Sequence, residues 1–310
     1  MNRFRFSLQA VTAASRHEWV ELARRVEGAG FDLLVTADHL GGSFSPLLAL
    51  ATAAEVTTAL RLGVMVLNND FHHPALLARD AATLDVLSQG RVELGLGAGH
   101  ARPEYERAGI AFGPAGDRIA RLAEAVQVLR RLLDGDTVTF SGQHYHLDGE
   151  RCGPAPLQSH LPLLVGGGGT RVLGIGARHA DAVGFTGLGR TLADGHRHEP
   201  SGFAPTVVDD QVAAVRTAAG DRLGALELQV LVQSVVITDR SRQSAEALSD
   251  RLPGVNVDDV LATPYLLIGS VDEVIERLIE RRERWGFSHY TVRGEALPDV
   301  EPVVAALSGQ

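Results

Sequence analysis

The chain has 310 residues, 45% of them hydrophobic, with a formal charge of −9 and one cysteine, Cys152. All 29 basic residues are arginine, which removes Schiff-base and P-loop lysine chemistry. The acidic balance leaves no footprint for nucleic acid, and no apolar run reaches the roughly 18 residues of a membrane span. A lone cysteine excludes an internal disulfide and suits a reducing cytoplasm. The first residues enter a strand pattern without the apolar core of a signal peptide.

Residues 5–9 alternate as a short first strand. Ser15 and Glu18 have capping-box spacing, and the helix behind them carries Trp19, Leu22, Ala23 and Val26 on one face. Gly28 and Gly30 stop it. The second strand, residues 31–37, is a large apolar run that ends abruptly in Asp38 and His39, as a buried parallel strand does where it opens into a cleft. A helix over about 46–58 leads to strand three at 62–67. Polar residues Asn68 to His73 follow, and Pro74 opens the next helix. Strand four, 92–96, runs into Gly97, Ala98, Gly99 and His100.

Strands beginning about every thirty residues, each with a helix behind it, mark βαβ units and a parallel sheet. The second half is less regular. Ile119 to Leu133 read as a long amphipathic helix, and 138–147 as a hairpin across Ser141 and Gly142, with a Pro-rich connector to Pro162. Residues 136–162 thus form an excursion from a single domain spanning 1–310. Strand five (163–165) enters four consecutive glycines, Gly166 to Gly169, then Thr170 and a helix. Strand six (182–186) precedes a long Gly-, Arg- and His-rich loop at 187–205, a candidate lid. A helix over 207–219, strand seven at 228–237, a helical region containing Pro253 and Pro264, a second capping box at Ser270 and Glu273, and strand eight at 289–293 complete the chain. Eight strands without a repeating Rossmann half favour an α/β fold of the (β/α)8 TIM-barrel type, with a doubly wound open sheet as the alternative.

In such a barrel the loops after the strands build the active site. They offer Gln9, Asp38, His39, Asn68, Asn69, His72, His100, Thr170 and Thr186. The four glycines let backbone approach a ligand, and the helix after them favours an anion; the bland alternative is a plain flexible turn. His39 beside a carboxylate can exchange a proton near neutral pH, or the pair can simply cap local amides. Twelve histidines fall at no recognised metal spacing, so no metal is expected. No G-x-S-x-G elbow anchors a serine triad.

Ala37-Asp38-His39, Leu67-Asn68-Asn69-Asp70, the run Ser88-Gln89-Gly90-Arg91-Val92-Glu93-Leu94-Gly95-Leu96-Gly97, and Gly166-Gly167-Gly168 together resemble the luciferase-like monooxygenase superfamily. Within it they are most similar to the coenzyme F420-dependent oxidoreductases. The resemblance implies a bacterial luciferase-like barrel with a hairpin-bearing insertion after strand four, usually dimeric, and a flavin-type ring over the strand ends. It also implies that His39 sits near the reacting ring carbon as the catalytic residue and that Asp38 bonds the ring or its ribityl chain. A non-prolyl cis peptide at Met65-Val66 would support the ring, with Asn68 at its edge. Ala98, Gly99 and His100 would line the side chain, and Gly166, Gly167, Gly168, Gly169 and Thr170 would hold the phosphate, with Thr186 nearby.

The implied activity is hydride transfer between the deazaflavin and a small organic molecule. The alternatives are an FMN-dependent monooxygenase fed by a separate reductase and a non-catalytic flavin or deazaflavin binder. The sugar-phosphate-oxidising branch has an acidic residue where His100 stands, and lysines that this chain lacks. The pocket of Gln9, His39, Phe71, His100 and Leu188 therefore reads as suited to a less charged substrate.

Overall fold

A computed structural model describes residues 2–189, 199–252 and 254–310; the middle of the 187–205 loop and Pro253 lie outside them. The barrel strands are β1 (Arg5–Gln9), β2 (Leu33–Thr36), β3 (Arg61–Val64), β4 (Leu67–Asn68) and β5 (Val92–Gly97). After the antiparallel hairpin β6 (Thr137–Ser141) and β7 (His146–Arg151) come β8 (Leu163–Gly167), β9 (Ala182–Phe185) and β10 (Glu227–Leu231). Strands β11 (Ser234–Ile237) and β12 (Leu266–Gly269) pair with each other, and β13 (Phe287–Arg293) returns to the barrel.

The parallel sheet runs β3-β2-β1-β13-β10-β9-β8-β5-β4 and closes where Leu62 and Gly63 meet Val92 and Glu93. Strands β3 and β4 are two halves of one stave, separated by a cis peptide at Met65-Val66. The nine strands therefore make the eight staves of a closed barrel, and the doubly wound alternative is set aside.

The helices wrap the outside: α1 (Arg16–Gly28), α2 (Pro46–Ala54), α3 (Pro74–Leu87), α4 (Arg102–Ala108), α5 (Ala115–Leu133), α6 (Thr170–His179), α7 (Pro205–Ala219), α8 (Ser241–Ser249), α9 (Val257–Ala262), α10 (Val271–Trp285) and α11 (Leu297–Leu307). Their apolar faces and the outward residues of the strands form the main core, from Phe4 and Phe6 through Leu129 to Val304. Ser270 and Glu273 make the expected reciprocal cap. At α1 the Ser15 hydroxyl accepts from the Glu18 amide, but the Glu18 carboxylate accepts from Ala14, one residue earlier than a capping box requires.

Two expectations change. The apolar run at 228–237 is two strands: the amide of Gln233 donates to the Tyr265 carbonyl at 2.7 Å, which takes the chain out of the barrel to pair with β12. Residues 266–269 accordingly form a strand, where the sequence reads helical. Gln233 and Ser234 are the only polar break at the exit, and two polar residues in a largely apolar run do not by themselves tell a strand's end from a continuing one. The hairpin is real but longer, starting at Thr137, turning after Ser141 and with its second strand running to Arg151. It is fixed to α5 by Glu124, whose carboxylate accepts from the amides of Gln143, His144 and Tyr145.

The inside of the barrel is layered. Near the strands' amino ends, Arg5 bonds Glu93 and Glu227, Arg61 bonds Glu93, and His289 bridges Glu227 and Ser7. Above them Leu33, Val35, Met65 and Leu231 form a small apolar layer, with Val66 packed against it. Above that, the strand ends open.

Candidate active site

Inward parity decides which side chains reach the open end. Ser7 and Gln9 of β1 are in register with Leu33 and Val35 of β2, and with Thr291 and Arg293 of β13. Gln9 donates to the Met65 carbonyl at 2.8 Å, bracing the cis bulge from two staves away. The bulge fills the glycine-rich side of the barrel. A Cβ at Gly95 would lie 2.1 Å from the Val64 carbonyl oxygen, one at Gly97 2.6 Å from Val66, one at Gly166 3.0 Å from Val66, and one at Gly184 3.0 Å from Met65. These glycines let the bulge pack flush against β5, β8 and β9, with the Leu164 side chain of β8 filling the space between Gly95, Gly166 and Gly184.

The run Ser88 to Gly97 is thus explained by packing. Its Arg91 ties the carbonyls of Ala54, Leu60 and Ser88 together behind the barrel. The most specific motif in the chain serves the scaffold.

The glycines after β8 divide similarly. Gly167 packs on Val172, and a Cβ at Gly168 would lie 1.8 Å from the Leu188 carbonyl oxygen. Gly169, the N-cap of α6, meets nothing. The open part of the cradle is therefore Gly169 and Thr170 at the start of a ten-residue helix, where free amides and the dipole favour an anion. Gln211 holds the Gly168 carbonyl at 2.7 Å, and Thr186 accepts from the Leu188 amide.

Asp38 turns one carboxylate oxygen to the Asn68 amide at 3.0 Å and to His72 Nε2 at 2.8 Å. That oxygen ties the loop after β4 to the end of β2. Asn68 uses its side-chain oxygen on the Asp70 amide and the Tyr105 hydroxyl. Burial holds the Tyr105 phenol well above its ordinary value and neighbouring Asp70 adds to this, so Tyr105 remains a neutral donor. Phe71 and Phe112 flank its ring, each at 4.9 Å, and Gly99, with φ +73°, presses against it because a Cβ would meet the Tyr105 hydroxyl at 2.0 Å. On the outer side of this loop, Asn69 donates to Tyr145 of the hairpin at 3.3 Å. Ala98 packs against the main core.

His39 stands apart from this tight network. Its side chain is 44% exposed, and Nδ1 lies 2.8 Å from Glu104 Oε1. The other Glu104 oxygen accepts from the Leu40 amide at 3.2 Å, and Glu104 itself is only 12% exposed. A carboxylate on Nδ1 assigns the proton to that nitrogen. Nε2, which has no partner among the described residues, is then the nitrogen left to accept a hydrogen bond. His100 meets the His39 ring edge-on at 5.6 Å.

The structure thus gathers Gln9, Asp38, His39, Met65, Val66, Asn68, Ala98, Gly99, His100, Phe71 and Thr186 around one barrel end, with Leu188 and the glycine turn on its β8–β9 side. Glu104 is the main residue the sequence reading missed. The signal was Pro103 directly after Arg102, since Pro in a first turn starts a helix and places Glu104 close behind His100. Gln233 and Arg293 were missed because both lay inside predicted strands. Among the described residues no His, Cys, Asp or Glu cluster could hold a metal ion, and no helix is long and apolar enough to cross a membrane.

A family model for luciferase-like monooxygenases matches residues 2–289. The chain belongs to that family. One relative is the F420-dependent glucose-6-phosphate dehydrogenase of Mycolicibacterium smegmatis, 30% identical over 301 residues, covering 88% of this chain and 86% of the relative. The fold is also that of an F420-dependent secondary alcohol dehydrogenase solved with an F420-acetone adduct (TM-score 0.76, 20% identity, 99% of each chain). It is equally that of the F420-dependent tetrahydromethanopterin reductase of Methanopyrus kandleri (TM-score 0.76, 18% identity, 99% of this chain and 100% of that one).

Proposed function

We propose that this luciferase-like protein is a coenzyme F420-dependent oxidoreductase, interconverting a hydroxyl and a carbonyl group on a small organic molecule. His39 moves the proton. The observation that carries this is the His39–Glu104 pair at the open barrel end, in a chain whose curated relatives are F420-dependent dehydrogenases. A planar ring with an anionic tail fits what is there: a bulge that glycines leave uncovered, and an open helix start at Gly169 and Thr170.

Asp38, Met65, Val66, Asn68, Ala98, Gly99 and His100 are assigned to the ring and its side chain. Gly169 and Thr170 are assigned to the phosphate end, with Thr186 nearby and Gly166, Gly167 and Gly168 packed behind them, and Gln9, Phe71, His100 and Leu188 to the substrate. When bound, the deazaflavin supplies a two-electron hydride acceptor and donor. The protein does the rest. Glu104 holds Nδ1 protonated, so Nε2 accepts the proton of a substrate hydroxyl as its carbon is oxidised; in the reverse direction the protonated Nε2 returns it to the carbonyl oxygen. Positioned proton transfer of this kind is worth roughly 10²–10⁴ in rate.

The test is titration of the purified protein with F420 and with FMN, followed by turnover with alcohols and with ketones. Tight F420 binding and alcohol-dependent loss of its absorbance support the proposal. FMN binding with no F420 binding, or F420 binding without redox change on any substrate, overturns it. Glu104→Gln sharpens it: the pH profile of kcat shifts, while the KM for F420 stays within about twofold.

We also propose a cytoplasmic homodimer. Leu48 on α2 and Leu76 and Leu87 on α3 are 71%, 54% and 59% exposed on helices packed side by side, an apolar surface that a second copy would cover. Light scattering checks it, and a monomer at all concentrations refutes it.

A further inference from the structure

The lysine count suggested a weakly charged substrate, yet the open barrel end carries a cation. Arg293 is the last residue of β13, in register with Gln9 of β1. It shares inward parity with His289 and Thr291, whose side chains bond Ser7 and Gln229 across the interior. Its guanidinium Nη2 donates to Gln233 Oε1 at 2.6 Å. Gln233 is itself fixed, its amide nitrogen donating to the Thr186 carbonyl at 2.7 Å. Three neighbouring strand ends, those of β13, β10 and β9, are thereby linked by side chains that hold one arginine in place.

What holds it is neutral. The remaining N–H groups of Arg293 have no partner among the described residues, and no carboxylate there comes within ion-pair distance of it. Glu295 and Asp299 line the same cavity of about 110 Å³ between the loops after β10 and β13, but neither pairs with Arg293. The contrast is with Arg5 and Arg61 at the other end of the barrel, which are matched by Glu93 and Glu227. A fixed guanidinium with an open fork is suited to bidentate recognition of a carboxylate or a phosphate.

We propose that Arg293, positioned by Gln233, is the specificity-determining anchor of the substrate site, and that the substrate bears a carboxylate or phosphate group. This rests on the hydride-transfer reading for the reacting end of the molecule only. His39 follows β2 and Arg293 ends β13, with β1 between them. Two strand spacings separate the ends of β2 and β13 by about 10 Å, so the substrate is a hydroxy or keto compound with its anion several bonds from the reacting carbon. The proton-transfer pair and the anion fork then fix both ends of one molecule across the barrel mouth.

Two measurements test this separately from the redox assignment. Calorimetric titration of the cofactor-free protein with inorganic phosphate and with acetate compares wild type, Arg293→Gln and Arg293→Lys. Wild type binds at least one anion in the millimolar range, Arg293→Gln binds it tenfold or more weakly, and Arg293→Lys falls between; which anion binds separates phosphate from carboxylate. In the F420-loaded protein, matched secondary alcohols with a neutral, carboxylate or phosphate terminus report the preference. The kcat/KM ratio of anionic to neutral substrate is tenfold or more in wild type and collapses below twofold in Arg293→Gln. No anion binding by wild type, equal binding by Arg293→Gln, or an unchanged ratio overturns the proposal. Arg293-dependent anion binding without turnover of any alcohol counts against the hydride-transfer reading and supports the anchor.

Discussion

At the amino ends of the barrel strands Arg5 reaches both Glu93 and Glu227, Arg61 shares Glu93, and His289 closes the chain to Ser7. At the carboxyl ends, among the described residues, His39 keeps Nε2 without a partner and Arg293 is met only by an amide. One end uses ionisable groups to plug a closed cylinder, and every charge there has its opposite. The other end spends carboxylates and amides on holding a few groups still while leaving one face of each unbonded. The same residue types thus serve stability where they neutralise each other and chemistry where they do not. Burying such a pair carries a desolvation cost that its mutual attraction offsets, but removing one partner leaves the other charge buried and uncompensated.

The Glu227 carboxyl shows the lower end's logic. Burial alone would raise it, but His289 and Arg5 outweigh that and draw it down to about 2. At the upper end Asp38 and Glu104 orient an imidazole each, His72 and His39. The apolar layer of Leu33, Val35, Met65 and Leu231 lies between the two ends and keeps the lower charges from the site.

The sharpest way to break this contrast is to truncate one group from each end. His39→Ala removes a 44% exposed side chain, so turnover falls by roughly 10²–10⁴ while the urea midpoint hardly moves. A loss under tenfold in steady-state assays removes His39 from the chemistry. Glu227→Ala does the reverse, costing about 3–5 kcal/mol of stability in urea unfolding with kcat per folded molecule unchanged. Acid titration of stability reads the same group. A carboxyl whose folded value lies below its unfolded value of 4.5 contributes stability above pH 4.5, and that contribution is lost as pH falls from 4.5 towards 2. The unfolding midpoint of wild type should drop across that window, and that of Glu227→Gln more shallowly.

A smaller effect separates the glycines of the cradle. Gly168→Ala drives a Cβ into the Leu188 backbone, costing about 1–3 kcal/mol and shifting the loop that bears Thr186. Gly169→Ala meets open space and should stay within about 0.5 kcal/mol of wild type. If thermal melts show the two variants alike, the assignment of Gly168 to packing fails. Should Gly169→Ala, although stable, weaken F420 binding in a fluorescence titration, the open start of α6 is where the anionic tail lies.

Much of this was legible before any coordinates. Strand starts about thirty residues apart, each backed by an amphipathic helix, follow from local periodicity. So does the placing of Asp38 and His39 at a strand end, because an apolar run closed by ionisable residues can be buried only up to that point. The exit of Gln233 from β10 was not legible, nor was the strand at 266–269, since an apolar stretch does not announce which partner it will find.

What the sequence determined by itself was the alternation of strand and helix, the glycine turn after β8, and the candidate imidazole. Each is set by residues within a few positions of one another. What only the tertiary structure decided was which of these groups is spent and which is left over. Gly97 and Gly166 yield to Val66, Asp38 to His72, and Glu104 comes to His39 across 65 positions. Arg5 finds carboxylates while Arg293 finds none among the described residues, although both are arginines on inward-facing strand positions. Hydrogen-bond and charge partners are a property of the closed barrel, and closure brings together residues that the linear order keeps far apart.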